Sequence, residues 1–110
     1  MTDLRKLSDG VVVSGQIAPK DMKQALEWGV TLIISNRPDG EEPDQPTSAE
    51  IAAAAASAGI AYVHAPVVGI PGIETLDAVS QALDRKDGGL TWMFCRSGMR
   101  STAAWAMVTV

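Results

Sequence analysis

The sequence of 110 residues contains a single cysteine, Cys95. One cysteine excludes an internal disulfide and a zinc site built from several thiolates, and it leaves the chain without a second thiol that could resolve an intermediate on the first. Covalent chemistry at Cys95 would therefore need an external thiol acceptor to regenerate it.

Positive charge is also scarce. Nine Lys and Arg residues stand against thirteen Asp and Glu residues, which gives a net charge of -4. No general basic surface is left to neutralise a phosphate backbone, so we expect no nucleic acid partner. Any anion has to be bound by local geometry.

Long hydrophobic runs are absent. Residues 1–6, which include the charged Asp3, Arg5 and Lys6, are not followed by an apolar stretch of the signal-peptide type, and a cytoplasmic protein is expected. The most apolar stretch, residues 51–63, is largely alanine and contains Ser57 and Gly59. It is too short and too interrupted to span a bilayer, so we expect no membrane segment.

A chain of this length with 46% hydrophobic residues can bury one modest core, which predicts a single domain over residues 1–110. The sequence stops at the apolar Val110, two to three turns into its last predicted helix. We therefore expect the domain to be truncated within that helix.

Strands alternate with helices along the chain. Apolar runs predict strands at residues 11–13, 31–35, 61–67 and 90–94. Helices are predicted from Asp21, from the capping box of Thr47 and Glu50, from Glu74 with Arg85 and Lys86 in its last turn, and after Gly98. The pattern predicts an α/β fold with a mostly parallel four-stranded sheet flanked by helices. Loops that begin at Arg37, Val68 and Cys95 should then meet at one edge of the sheet.

The last of these loops carries the chemistry. After the strand at 90–94 the sequence reads Cys95-Arg96-Ser97-Gly98-Met99-Arg100-Ser101 and then continues as a helix. Inward-turned amides, the helix N-terminus and two arginines would stabilise a thiolate over a thiol and would hold an anion beside it. We expect Cys95 and Arg100 to be catalytic and the anion to be bound by Arg96, Ser97, Gly98, Met99, Arg100 and Ser101.

A lone cysteine at a strand end is more often a small buried hydrophobic residue. Two arginines, two serines and a glycine in the next six positions favour a nucleophile, because no buried strand end needs that charge.

The cysteine loop resembles that of the rhodanese sulfurtransferases, which have four residues between cysteine and arginine. It is also similar to the loop of protein tyrosine and dual-specificity phosphatases, which have five. The segments at residues 14–16, 34–41 and 62–67 resemble the phosphatase-like domain of the beta-lactamase-hydrolase-like proteins, and this resemblance covers nearly the whole chain. It implies a dual-specificity-phosphatase-like fold, in a family whose members are described as phosphatases and as sulfurtransferases.

Two departures from the phosphatase pattern favour sulfur transfer through a Cys95 persulfide. Phe94 stands where phosphatases usually have histidine, in a loop one residue shorter. The segment Val67-Val68-Gly69-Ile70 holds no aspartate to protonate an alkoxide leaving group, whereas sulfite or a thiolate departs from thiosulfate or a persulfide without a general acid. Hydrolysis of a phosphoester is the first alternative, and a non-catalytic anion-binding or redox-sensing module is the second. No cofactor and no metal are expected.

The loop from residue 37 to 46 offers further charged groups. Asp39 is a candidate substitute acid or a partner that orients Arg37 or Arg100, and Arg37 is a candidate orienting residue. Carboxylates in such a run are more often solvated surface charges.

Overall fold

The computed structural model describes residues 4–85 and 87–109. The described residues form five strands, four α-helices and one short 3-10 helix. The strands are β1 (Arg5–Ser8), β2 (Val11–Ser14), β3 (Val30–Ser35), β4 (Ala61–His64) and β5 (Leu90–Phe94). The helices are α1 (Met22–Trp28), α2 (Ser48–Ser57), α3 (Ile73–Leu83) and α4 (Met99–Thr109), and the 3-10 helix, Pro19–Asp21, leads directly into α1.

The strands form one sheet in the order β1-β2-β5-β3-β4. Strands β2, β5, β3 and β4 are parallel to one another, and β1 joins β2 in an antiparallel pair with Arg5 opposite Val13. The predicted α/β class with a mostly parallel sheet is confirmed, but the sheet has five strands rather than four. The sequence prediction misses β1 because three of its four residues are exposed at a sheet edge and show no apolar alternation.

Each face of the sheet carries its own hydrophobic core. Ile33 packs with the residues under α1 and α2, whereas Leu32 and Ile34 pack with those under α3 and α4. Because successive side chains of a strand point to opposite faces, β3 is buried on both sides, as its apolar run predicts. Strand β5 lies between β2 and β3, so Cys95 follows the central strand of the sheet.

The helix boundaries follow the local signals closely. Thr47 Oγ1 accepts from the Glu50 amide at 3.1 Å, and the Glu50 carboxylate accepts from the Thr47 amide at 3.3 Å, which confirms the capping box. Helix α3 ends at Leu83, so Arg85 lies beyond its last turn, contrary to prediction. Lys86 and Val110 fall outside the described residues. No helix in the described ranges combines the length and apolarity needed to cross a bilayer.

Candidate active site

The carboxyl ends of the parallel strands meet at one edge of the sheet. The Asn36 amide, just after β3, donates to the Phe94 carbonyl at 2.8 Å, and the Cys95 amide donates to the Ser14 carbonyl at 3.4 Å. Arg100 contacts Glu41 and the Val67 carbonyl, so the loops after β3, β4 and β5 converge here, as the strand pattern predicts.

Cys95 lies at the base of its loop with a fully buried side chain. Its sulfur accepts a hydrogen bond from the Gly98 amide at 3.1 Å. Gly98 has a φ of +93°, and a Cβ at this position would lie 2.8 Å from Arg5 Nη2 and 3.3 Å from the Ser14 carbonyl oxygen. Glycine is therefore needed to turn this amide toward the sulfur.

The loop lowers the pKa of the Cys95 thiol. Burial raises the pKa of Cys95, but hydrogen bonds from the amides of Ser101, Ser97 and Gly98 and the nearby Ser101 hydroxyl outweigh burial, so the pKa is lowered overall. The direction agrees with the thiolate expected from the sequence.

Ser101 is a buried polar residue whose hydroxyl lies near the sulfur of Cys95. Its hydroxyl contributes to the lowered pKa of Cys95, yet among the described residues it makes no hydrogen bond of good geometry. Ser101 lies in the first turn of α4, where its amide also faces the sulfur. A buried hydroxyl without a full set of partners is suited to interact with a bound anion or with the sulfur itself.

The remaining loop residues differ in exposure. Gly98 is buried, whereas Arg96, Ser97 and Met99 are exposed. Arg96 Nε lies 3.4 Å from the Glu42 carboxylate, and the Met99 amide donates to Ser97 Oγ at 3.4 Å. The structure thus brings the amides of Ser97, Gly98 and Ser101 and the guanidinium of Arg100 to the sulfur, while the side chain of Arg96 contacts the loop after β3.

Arg100 is held by the carboxylate of Glu41, a residue that the sequence analysis does not predict to be part of the site. Its Nη1 and Nη2 donate to the two oxygens of Glu41 at 2.8 and 2.7 Å, and Nη1 also donates to the Val67 carbonyl at 3.0 Å. Hydrogen bonding to Glu41 is the main cause of the raised pKa of Arg100; partial burial opposes it and the charge of Cys95 adds to it. Arg100 is therefore fixed as a cation near the sulfur.

Arg37 is buried and makes a dense set of contacts. It donates to the carboxylates of Glu41 and Glu42 at 2.9 and 2.7 Å and to Gln16 Oε1 at 2.9 Å. Glu41 is thus shared between Arg37 and Arg100, and its pKa is lowered to about 2, chiefly by the hydrogen bond from Arg100. Arg37 orients Glu41, which in turn orients Arg100, so the orienting role expected of Arg37 is indirect.

Asp39 occupies a different place from the one expected. Its carboxylate accepts from the Ser48 amide at 2.7 Å, at the start of α2, where a negative charge also complements the helix dipole. The orienting contact predicted for Asp39 is made by Glu41, two residues further along. The only sequence signal for the role of Glu41 is its i,i+4 spacing from Arg37. This signal is weak, because local sequence does not determine the path of a long loop.

The loop between β4 and α3 is apolar at the site. Its exposed residues include Val68 and Ile70, and no acidic residue lies between the end of β4 and Glu74 of α3. The carboxylate that contacts Arg100 is ionised at neutral pH because its pKa is about 2. Within the described ranges, no three histidine, cysteine or acidic side chains come together as a metal site.

The sheet order, the loop after the central strand and the buried cysteine define a phosphatase-like domain of the protein-tyrosine and dual-specificity phosphatase fold. A candidate phosphatase from Neisseria meningitidis Z2491 superposes with a TM-score of 0.79 at 29% identity, over 91% of this chain and 71% of that one. Kinase associated phosphatase shares the fold, with a TM-score of 0.76 at 17% identity over 98% of this chain and 71% of its own.

The family model for the phosphatase-like domain of Beta-lactamase hydrolase-like protein matches residues 3–110, and the chain belongs to this family. The Beta-lactamase hydrolase-like protein of Xylella fastidiosa (strain Temecula1) is 33% identical over 105 residues, and that of Agrobacterium fabrum (strain C58) is 31% identical over 104. These alignments cover 94% and 93% of this chain but 24% of each relative, so the chain spans about a quarter of their length.

Proposed function

We propose that this domain hydrolyses small phosphate monoesters through a covalent intermediate on Cys95. The observation that carries the proposal is the buried sulfur of Cys95, which accepts the Gly98 amide at 3.1 Å and whose pKa is lowered by the loop. The phosphatase-like family and fold support phosphoester chemistry over sulfur transfer, the reaction that the sequence pattern favours.

The Cys95 thiolate attacks phosphorus, so that a sulfur–phosphorus bond forms and the bond to the ester oxygen breaks, with its electron pair leaving on that oxygen. Water then attacks phosphorus, which releases inorganic phosphate and returns the thiolate. The amides of the loop and the cation of Arg100 stabilise the charge on the phosphoryl oxygens. Ser101 donates to the sulfur as the thiolate leaves.

A leaving group of low basicity suits this site. Glu41 has a pKa of about 2 and is held by two arginines, so it is a poor proton donor at neutral pH. The apolar loop from Val67 to Gly72 supplies no carboxyl group. We therefore expect aryl phosphates, whose phenolates leave with little protonation, to react faster than alkyl phosphates.

The same lack of an acid keeps sulfur transfer as a second candidate. In that reaction the thiolate attacks the outer sulfur of thiosulfate, a sulfur–sulfur bond forms, and sulfite leaves with the electron pair without needing a proton. An external thiol or cyanide then removes the sulfur and regenerates the thiolate.

Parallel assays on one preparation separate the candidates. Release of phosphate from 4-nitrophenyl phosphate and formation of thiocyanate from thiosulfate and cyanide are measured for the wild type and for Cys95→Ser. The proposal predicts phosphate release that Cys95→Ser abolishes. Thiocyanate formation without phosphate release would overturn the proposal in favour of sulfur transfer. The absence of both activities would overturn it in favour of a non-catalytic anion-binding module.

A further inference from the structure

A cleft of about 870 Å³ opens beside the cysteine loop. The residues that line it include Arg96 and Ser97 of the loop, Gln16 after β2, and Lys20, Gln24 and Trp28 of the 3-10 helix and α1. Cys95 is not one of the lining residues, so the cleft adjoins the site of attack rather than enclosing it. Its volume lies in the range of about 300–1,000 Å³ that is common for small-molecule sites.

The cleft and the loop share a wall of backbone. The Gln16 amide donates to the Arg96 carbonyl at 3.4 Å, and a Cβ on Gly15 would lie 2.8 Å from the same oxygen. Glycine at position 15 thus allows the two chain segments to touch. A substrate whose anionic group is bound by the loop can therefore place the rest of the molecule in this cleft.

The lining combines an aromatic surface with positive charge. Trp28 is half-buried, and its ring lies 5.2 Å from that of Trp92, which fixes it as a wall. Lys20 and Arg96 are exposed cations of the lining, and Arg96 Nε lies 3.4 Å from the Glu42 carboxylate. The lining carboxylate of Asp21 accepts from the Ala18 amide at 2.7 Å. The lysine beside the indole favours a planar ligand that carries a negative charge.

We propose that this cleft binds the body of the substrate, and that the body is a planar aromatic group carrying a second anionic group. The aromatic group lies against Trp28, and the second anion pairs with Lys20. The proposal rests on the proposed function, because the reacting phosphate is placed in the cysteine loop. It narrows the substrate to small bis-anionic aryl phosphoesters.

A pair of substrates and a pair of variants test the contact. The substrates are 2-naphthyl phosphate and the phosphate ester of 6-hydroxy-2-naphthoate, which adds one carboxylate. The variants are Lys20→Glu and Lys23→Glu; both lysines are exposed, the two changes alter the net charge equally, and only Lys20 lines the cleft. Comparing each substrate across variants cancels the effect of the carboxylate on the leaving group.

Lys20→Glu should lower kcat/KM for the carboxylate-bearing ester by about fivefold more than for 2-naphthyl phosphate. Lys23→Glu should leave both substrates nearly unchanged. Equal effects of Lys20→Glu on the two substrates, or equal effects of the two variants on the carboxylate-bearing ester, would overturn the proposal.

Binding of the matching phosphonates, 6-phosphono-2-naphthoate and 2-naphthylphosphonate, separates this proposal from the hydrolysis. Chemical shift changes at the amides of Lys20, Gln24 and Trp28, with affinity for the carboxylate-bearing phosphonate reduced only by Lys20→Glu, would support the cleft even if no ester is hydrolysed. Hydrolysis of the esters without those chemical shift changes would support the proposed reaction but would overturn the proposal that the cleft binds the substrate.

Discussion

Glu41 grips Arg100 through both carboxylate oxygens, which lie 2.8 Å from Nη1 and 2.7 Å from Nη2. Nη1 also donates to the Val67 carbonyl at 3.0 Å, which uses its second hydrogen. A guanidinium has five N–H donors, and the contacts with Glu41 and Val67 use three of them, so Arg100 keeps donors that can face the sulfur of Cys95 or a bound anion. The glutamate therefore sets the direction of the arginine before any substrate arrives.

The thiol of Cys95 should ionise at a lower pH than a free cysteine, because the amides of the loop lower its pKa despite burial. The rate of alkylation by iodoacetamide, followed against pH, should give an apparent pKa below the free-cysteine value of about 8.5. Ser101→Ala should raise this apparent pKa, since one interaction that favours the thiolate is lost. An apparent pKa at or above that of free cysteine in the wild type would contradict the nucleophile assignment.

Glu41→Gln should destabilise the fold in a pH-dependent way. The pKa of Glu41 falls from its usual 4.5 to about 2 in the folded state, so its charge stabilises the protein fully above about pH 4.5, and this contribution is lost as the pH falls toward 2. Urea unfolding from pH 7 down to pH 3 should show a deficit in the free energy of unfolding that is constant above pH 5 and shrinks below it. A deficit that does not change with pH would mean that the charge of Glu41 is not what stabilises the fold.

The central strands and the cysteine loop could be predicted from sequence because their signals are local. The apolar run of β3 and the capping box of Thr47 fix their own elements, and the alternation of strands and helices then brings Cys95 to the edge of the sheet. Strand β1 is held by pairing with β2 and by the turn at Asp9 and Gly10, so it needs no apolar pattern of its own.

The partner of Arg100 could not be predicted in the same way. Asp39 and Glu41 lie two residues apart in a loop with three prolines, and which carboxylate reaches Arg100 depends on the loop's path over the sheet edge. That path is set by long-range contacts, such as those of the buried Arg37 with Gln16 and Glu42.

Gly98→Ala should disturb both stability and the thiol. The residue has a φ of +93°, and the added Cβ would crowd Arg5 and the backbone of Ser14. Gly59→Ala is a matched control, because Gly59 has a φ of +74° and an added methyl group there would meet no atom within 4 Å among the described residues outside its two chain neighbours. The control should lose about 1 kcal/mol of unfolding free energy from strain alone.

Gly98→Ala should lose more than this control and should also raise the apparent pKa of Cys95, because the amide that donates to the sulfur is displaced. Urea unfolding and the iodoacetamide titration measure the two effects. Equal losses in the two variants, with an unchanged thiol pKa, would show that the loop tolerates a side chain at this position.

Arg37→Lys should destabilise the domain by about 2 kcal/mol, because an ammonium cannot reproduce the geometry of the three charged and polar contacts made by the guanidinium. Arg85→Lys is the control, since Arg85 is exposed and pairs with Asp87 at 3.2 Å; it should change stability by less than about 0.5 kcal/mol. Thermal and urea unfolding of the two variants give the comparison. Similar losses for both would contradict a structural role for buried Arg37.

The covalent step on Cys95 is tested most directly by intact-protein mass spectrometry after rapid acid quenching of a reaction with 4-nitrophenyl phosphate. The account predicts a fraction of protein heavier by one phosphoryl group, with the modification mapped to Cys95 and absent from Cys95→Ser. Phosphate release from the wild type with no phosphoryl group found on Cys95, or release that persists in Cys95→Ser, would contradict it.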